Sequence, residues 1–307
     1  MESAVNTRKL LVAGCLAAVL GLSACTSTSA GGGDEPGSGG GAAGVEPVQE
    51  LADALPDDIR DRGHLSFAAT SANLPAQYVD EDGEILGAQV ELIQAVGAVL
   101  DIAVEIDVVT NDAFDSGIAS GRYDTVTRGD NADRQKSMDF IDTFNNGFSV
   151  IARSGFEVDE LDYKTELCGV STAVTKATFT ENVLVGLSEE CEARGEPAIA
   201  MNSYLDEAGV VLALQSEQND VGFIEAIIGL AYVSKDPEGL KMIDRDLGEE
   251  VGGYYSGFAV RKDNTEFRDV LRDALLHLAE LGVYQEIFDS YGIGELTLPE
   301  FPLNQGA

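Results

Sequence analysis

Histidine is almost missing from this 307-residue chain: only His64 and His277 occur, beside four cysteines. Those few donors are not clustered, so no metal site and no metal cofactor is expected. Basic residues are scarce as well, 19 Lys and Arg against 54 Asp and Glu, for a formal charge of −35. A surface of that sign repels phosphate backbones and anionic headgroups, which excludes nucleic acid and charge-driven membrane binding. There is no glycine-rich phosphate loop, so nucleotide chemistry should reside elsewhere and no organic cofactor is expected. The lack of any fixed-period repeat excludes solenoids and propellers. Beyond Leu10 to Leu22, no run approaches the ~20 apolar residues that span a bilayer.

A hydrophobic fraction of 44% is enough for a real core. The length suits one large domain or two lobes of ordinary size. The acids are scattered and form no tail, which fits a solvated acidic shell suited to high salt. At the N-terminus, Arg8 and Lys9 precede the short apolar stretch, as in an export signal. Leu22-Ser23-Ala24-Cys25 then resembles the lipobox of bacterial lipoproteins, in which the chain is cut before a cysteine that carries the lipid. A plain secretory signal and an uncleaved anchor are the alternatives. The expectation is a signal peptide over 1–24, lipidation at Cys25, and an extracytoplasmic protein tied to the cell membrane through lipid alone. Cleavage removes Glu2, Arg8 and Lys9 and leaves a charge near −36. Residues 25–50, with their Gly31-to-Gly41 run, read as a disordered tether with a reach of roughly 25–30 Å. Cys15 departs with the signal, leaving Cys168 and Cys191 to pair in an exported chain, or to stay as two buried thiols.

After the tether, strands and helices alternate, the pattern of an α/β sheet with right-handed crossovers. Leu65–Ala69 reads as a strand, and Ala88–Leu100 as a helix with Val90, Ile93, Val96 and Val99 at helical spacing. Val104, Ile106 and Val108 alternate with acids as a half-buried strand, followed by a short helix around Phe114 and a strand near Tyr123–Thr127. A second α/β unit holds strands at Thr172–Thr175 and Asp220–Ile224. Ser256–Lys262 is a further strand. The helix capped by Asn264 carries Phe267, Leu271, Leu275, Leu278 and Leu281 on one face, with His277 on the surface side. Gly282 should end it, and a short helix should run from Val283 to Tyr291.

Arg134 is the most informative residue. Gly121-Arg122-Tyr123-Asp124 leads to Asp130-Asn131-Ala132-Asp133-Arg134, with Asn131 placed to cap a short helix. A cation in a helix's first turn is disfavoured by the macrodipole and wants an anion. A guanidinium fork suits a carboxylate, so Arg134 either grips one on a ligand or pairs with Asp130, Asp133 or Asp139.

The run resembles the glycine-x-tyrosine-aspartate, threonine-x-x-arginine and aspartate-phenylalanine segments of family 3 extracellular solute-binding proteins, the amino-acid receptors of ABC importers. Further matches are Leu55-Pro56-Asp57-Asp58-Ile59, Cys168-Gly169-Val170-Ser171-Thr172, Gly257-Phe258-Ala259-Val260-Arg261-Lys262 and the closing Pro302–Ala307. The resemblance implies a two-lobed α/β fold of the type II periplasmic-binding-protein kind, with the ligand between lobes joined by two crossovers. Lobe 1 would comprise 51–153 and the return segment 253–307, and lobe 2 would comprise 154–252. It implies that Arg134 grips the α-carboxylate, assisted by Gly129 and by Thr178 in the Lys176-Ala177-Thr178 turn. Glu225, after Asn219-Asp220-Val221, would hold the ammonium.

The remaining pocket positions depart from the family pattern. Thr70 and Asn73 stand where an aspartate and an aromatic are usual, and Tyr78 is the nearest ring. Asn131 replaces threonine, Ala177 replaces glycine, and the loop before Asn131 is two residues shorter. Arg128 faces solvent or reaches an acidic ligand side chain. These features imply a neutral polar or acidic amino acid as ligand. The expected role is a monomeric, non-enzymatic receptor that delivers its ligand to a permease driven by an ATPase. A sensory lipoprotein and a cyclohexadienyl-dehydratase-like enzyme are the alternatives.

Overall fold

A computed structural model describes residues 44–244 and 254–306. The signal, Cys15, Cys25 with its lipobox, most of the tether and the stretch around Gly252 lie outside the described residues. Short helices α1 (Gln49–Asp53) and α2 (Asp57–Arg62) lead into strand β1 (His64–Ala69). A small antiparallel ribbon follows, of β2 (Ala72–Asn73), β3 (Gln77–Val79) and β4 (Ile85–Leu86). Then come α3 (Ala88–Val99), β5 (Ala103–Val108), α4 (Asn111–Ala119), β6 (Thr125–Gly129), a 3-10 turn at Arg134–Lys136, and β7 (Met138–Asn145). β8 (Phe148–Arg153), β9 (Ser171–Thr175), α5 (Phe179–Ala193), β10 (Ala200–Tyr204), α6 (Glu207–Gln215), β11 (Val221–Glu225), α7 (Ala226–Lys235) and β12 (Leu240–Met242) form the middle of the chain. β13 (Tyr255–Arg261), α8 (Thr265–Glu280) and α9 (Val283–Ser290) close it.

Two five-stranded sheets result, in the orders β5-β1-β6-β13-β7 and β10-β9-β11-β8-β12. In each, three parallel strands are extended by two more that join through antiparallel pairings. Helix α3 is buried along nearly its whole length: Leu92, Ile93, Val96 and Val99 join the core, and Gly97 leaves room for Val104 of β5. Gly87 makes its start possible: its φ is +127°, and a Cβ there would lie 2.4 Å from the Ala76 carbonyl oxygen. Helix α8 is amphipathic as read, with the Asn264 side chain accepting from the Phe267 amide at 3.3 Å. Leu281 departs from that reading. It caps the helix and is 54% exposed, because Gly282 at φ +79° turns the chain away one residue later.

Three sequence boundaries move. Val45 and Val48, read as tether, pack against the first lobe's core, and the Val48 amide donates to the Val99 carbonyl at 2.8 Å. Phe148–Arg153, read as lobe 1, pairs instead with β11 in the second sheet. The crossing therefore lies at Asn146–Gly147, and the Asn146 amide donates to the Tyr254 carbonyl at 2.7 Å. Third, α7 sits in sequence within lobe 2 but buries Ala226, Ile227 and Leu230 in the lobe 1 core, while Ile228, Tyr232 and Val233 pack on the second sheet. Cys168 and Cys191 are joined as a disulfide, with Cys191 buried against Leu184 and Leu187.

Candidate functional site

In open parallel sheets, ligands bind beyond the carboxyl ends of strands where the strand order switches. Gly129 ends β6 and Glu225 ends β11, each beside the point where its sheet's strand order switches. Arg134 stands on the 3-10 turn just after β6. Asn131 caps this turn as read, its Oδ1 accepting from the Arg134 amide at 3.0 Å. The Arg134 guanidinium donates to the Gly129 carbonyl at 2.8 Å. The structural pairings considered for it are taken by other residues. Asp130 accepts from Gln135 and the Gly306 amide, Asp133 pairs with Lys136, and Asp139 pairs with Arg268 and Lys262.

Arg128 has a partner within its own lobe. Its Nε and Nη2 donate to the two carboxylate oxygens of Asp115, each at 3.2 Å, and its guanidinium lies over the Phe114 ring. Burial and the neighbouring Arg134 charge lower its pKa, and Asp115 opposes them. Thr178 serves as the N-cap of α5. Its hydroxyl donates to the Thr175 carbonyl at 2.7 Å and accepts from the Glu181 amide at 3.1 Å, while Glu181 accepts in return from the Ala177 amide. Ala177 adopts a left-handed backbone, with φ +60°. Thr70 is buried behind the ribbon, its amide donating to Gln77 Oε1 at 2.8 Å.

Glu225 faces the cleft from the opposite lobe. The Asn146 side chain, at the first crossover, donates to its Oε2 at 3.0 Å. Burial raises the Glu225 pKa, the Asn146 bond opposes that, and the Glu207 carboxylate adds to it. Asn73 and Tyr78 from lobe 1 join Glu225, Glu207, Tyr232 and Lys235 in lining a cleft of about 540 Å³. Burial, with Glu91 and Asp80, raises the Tyr78 pKa.

Tyr254, which the sequence reading missed, links the two charged ends. Its hydroxyl is pushed up to about 12 by burial and by the Glu225 charge, against the opposing pull of Arg134 and Arg128. Its ring stacks on Phe148 and on the largely exposed Phe179, with centroids 6.1 and 5.9 Å apart. Arg134, Arg128, Thr178 and Tyr254 are not among the residues lining the cleft of about 540 Å³, which Glu225 reaches. The only clue to Tyr254 in the sequence is its position just before the return strand. Glu207 and Tyr232 have no local signal at all.

Residues 65–294 match the family of bacterial extracellular solute-binding proteins, family 3. The chain is 27% identical to the arginine-binding protein ArgT of Corynebacterium glutamicum over 271 residues, covering 85% of this chain and 84% of that protein. It is 22% identical to the L-cystine-binding protein TcyJ of Escherichia coli, covering 81% and 91%. Among solved structures, the unliganded open L-cystine solute receptor of Neisseria gonorrhoeae superposes with a TM-score of 0.65 at 20% identity, covering 79% of this chain and 98% of that one. A polar amino acid ABC uptake transporter substrate-binding protein of Streptococcus thermophilus gives 0.66 at 16% identity, covering 80% and 91%. These likenesses establish the two-lobed type II periplasmic-binding fold. With three quarters of its length inside the family match, the chain belongs to the bacterial extracellular solute-binding proteins, family 3.

Proposed function

We propose that this protein is the lipid-tethered receptor of an amino-acid ABC importer, closing around its ligand and presenting it to a permease. The carrying observation is the pair of opposite charges on the two lobes: Arg134 beside Gly129 and Glu225 at the end of β11, both acting on Tyr254. An α-amino acid needs both countercharges when it leaves water, and buried charges without partners are costly. Arg134 takes the carboxylate and Glu225 the ammonium. Because the two grips come from different lobes, the ligand favours the closed state, a hinge-type population shift. On this reading Thr178 contributes by capping the start of α5.

The side-chain class follows from the cleft. Arg128 is committed to Asp115, and the cleft carries Glu207 beside Glu225 against one ammonium, Lys235. That arrangement disfavours a second negative charge on the ligand, so the acidic option raised by the sequence recedes. A cationic or neutral polar amino acid fits, and relatives named for arginine and cystine support the same range. Lipidation at Cys25 and the tether after it supply the membrane attachment. Calorimetry with the common L-amino acids plus L-cystine tests the reading. Arg134→Ala should weaken the bound member by at least about 30-fold, the low end for breaking a desolvated charge pair. Equal affinity in the variant, or no binding by any member, refutes it.

A further inference from the structure

The segment after α9 turns back to the arginine turn. The Asp142 amide donates to the Pro302 carbonyl at 2.9 Å, and Leu303 bridges Ile141 in antiparallel fashion. Asn304 exchanges two bonds with Phe140: its amide donates to the Phe140 carbonyl at 3.2 Å, and its Oδ1 accepts from the Phe140 amide at 2.9 Å. The Gln305 amide then donates to Asp142 Oδ2 at 3.0 Å, and the Gly306 amide to Asp130 Oδ2 at 2.6 Å. Finally, Gln135 Nε2 donates both to the Gly306 carbonyl and to Asp130 Oδ1, each at 2.8 Å. Gly306 thus bridges the residues on either side of Asn131–Arg134. It fits there only as glycine, because a Cβ would lie 2.3 Å from the Asp130 carbonyl oxygen.

We infer that the segment Leu303–Gly306 is a positioning element of the binding site, a latch that holds the Asp130–Gln135 turn and aims Arg134 at the ligand carboxylate. The inference rests on the clamp role proposed for Arg134. Two carboxyl groups form the latch's keeper. Asp130 and Asp142 are both almost wholly buried, and the Asp130 carboxylate lies close enough to act on Asp142. Burial and the Asp130 charge raise Asp142 to about 7. The groups facing the pair are the Gln305 and Gly306 amides and the Gln135 side chain. Asp139, on the same strand as Asp142, is paired with Arg268 of α8 and with Lys262, and the Arg134 guanidinium is turned to Gly129. β13 sets Gly257 opposite Asp142 and Ser256 opposite Gly129, and the Tyr255 carbonyl accepts from the Asp130 amide at 2.8 Å. Loss of the Asp142 proton sets two buried carboxylates near each other beneath Leu303–Gly306 and loosens the turn.

The test uses the full chain and four proteins: wild type, Gly306→Ala, Asp142→Asn and Arg134→Ala. The carboxamide introduced by Asp142→Asn mimics the protonated acid, since it can donate to Asp130 and still accept from Gln305. Affinity for the panel member that wild type binds is measured across about pH 6 to 9, with amide exchange in 130–137 followed without amino acid. Wild-type affinity should fall by up to about tenfold per pH unit above neutrality, the limit for one proton, and Asp142→Asn should remove that slope. Gly306→Ala should weaken binding at least about tenfold and speed exchange in 130–137 while leaving β11 unchanged. Two results overturn the latch. One is an Asp142→Asn pH slope equal to wild type; the other is Gly306→Ala with wild-type affinity and exchange. If Arg134→Ala binds normally, the clamp reading fails instead, and the exchange measurement still decides the latch.

Discussion

Breaking the Cys168–Cys191 disulfide should destabilise the protein without touching its ligand affinity. The bridge closes a loop with a sequence separation of 23. In the chain-entropy account, a loop of that size restricts the unfolded chain enough to stabilise the native state by roughly 3 kcal/mol. Replacing Cys168, packed at the edge of the second core, by Ser and the buried Cys191 by Ala leaves only a small packing loss beyond that. For a chain of this size the loss corresponds to a drop in Tm of roughly 6–10 °C. The mechanism also fixes the denaturant response. If the bridge acts on the unfolded chain, its removal lets that chain expose more surface, and the urea m-value should rise. Calorimetric melts and urea titrations of the double variant, with wild type in reductant as a second route, measure both. A Tm within a degree of wild type and an unchanged m-value would refute the reasoning. A large fall in ligand affinity would show that the bridge supports the site as well.

Further expectations concern single positions. Asp142 has its folded pKa raised to about 7 from 3.8, so its contribution is full below the lower value and is lost as pH rises through the higher. Asp142→Asn should therefore gain stability on wild type as pH climbs, by roughly 2–4 kcal/mol at about pH 8, measured by melts at each pH. Ala177→Gly should stabilise by about 0.5–1 kcal/mol, because Ala177 holds φ +60° at an exposed turn; a loss of stability would show the strain argument to be wrong. Gly257→Ala should cost at least about 3 kcal/mol or abolish folding, since a Cβ there would lie 1.9 Å from the Ile141 carbonyl oxygen. For Glu225, burial favours the protonated form in the free cleft and an incoming ammonium reverses that. Binding should release protons and weaken as pH falls, which calorimetry in buffers of different ionisation enthalpy detects.

How legible the molecule was depends on how far each signal reaches along the chain. Helix α8 was readable because Phe267, Leu271, Leu275 and Leu278 repeat at helical spacing behind a capping Asn264. Asn131 was readable for the same reason, since a cap acts within three residues. Helix α7 gave no such signal: it is apolar all round because two cores claim different faces of it. The crossover at Asn146–Gly147 has a local mark, the Asn145-Asn146-Gly147 break between two buried strands, which the reading of 51–153 as one stretch passes over. The fate of Arg128 could not be read at all, as Asp115 becomes its partner only once α4 packs beside β6. Glu207 and Tyr232 join the cleft through the same kind of long-range approach.

Helix α7 has a consequence for how the molecule can move. Ala226, Ile227 and Leu230 are anchored in one core, and the opposite face of the same helix in the other. A Cβ on Gly292 would lie 2.5 Å from the Ser234 Cβ, so the far end of α7 is seated against the chain beyond α9 with no slack. The helix is therefore an axle shared by both halves. Sliding one half across the other would drag apolar side chains through water, whereas rotation about α7 keeps both contacts. Glu225 sits immediately before the axle's first turn, so it stays close to the axis while the two halves turn about it.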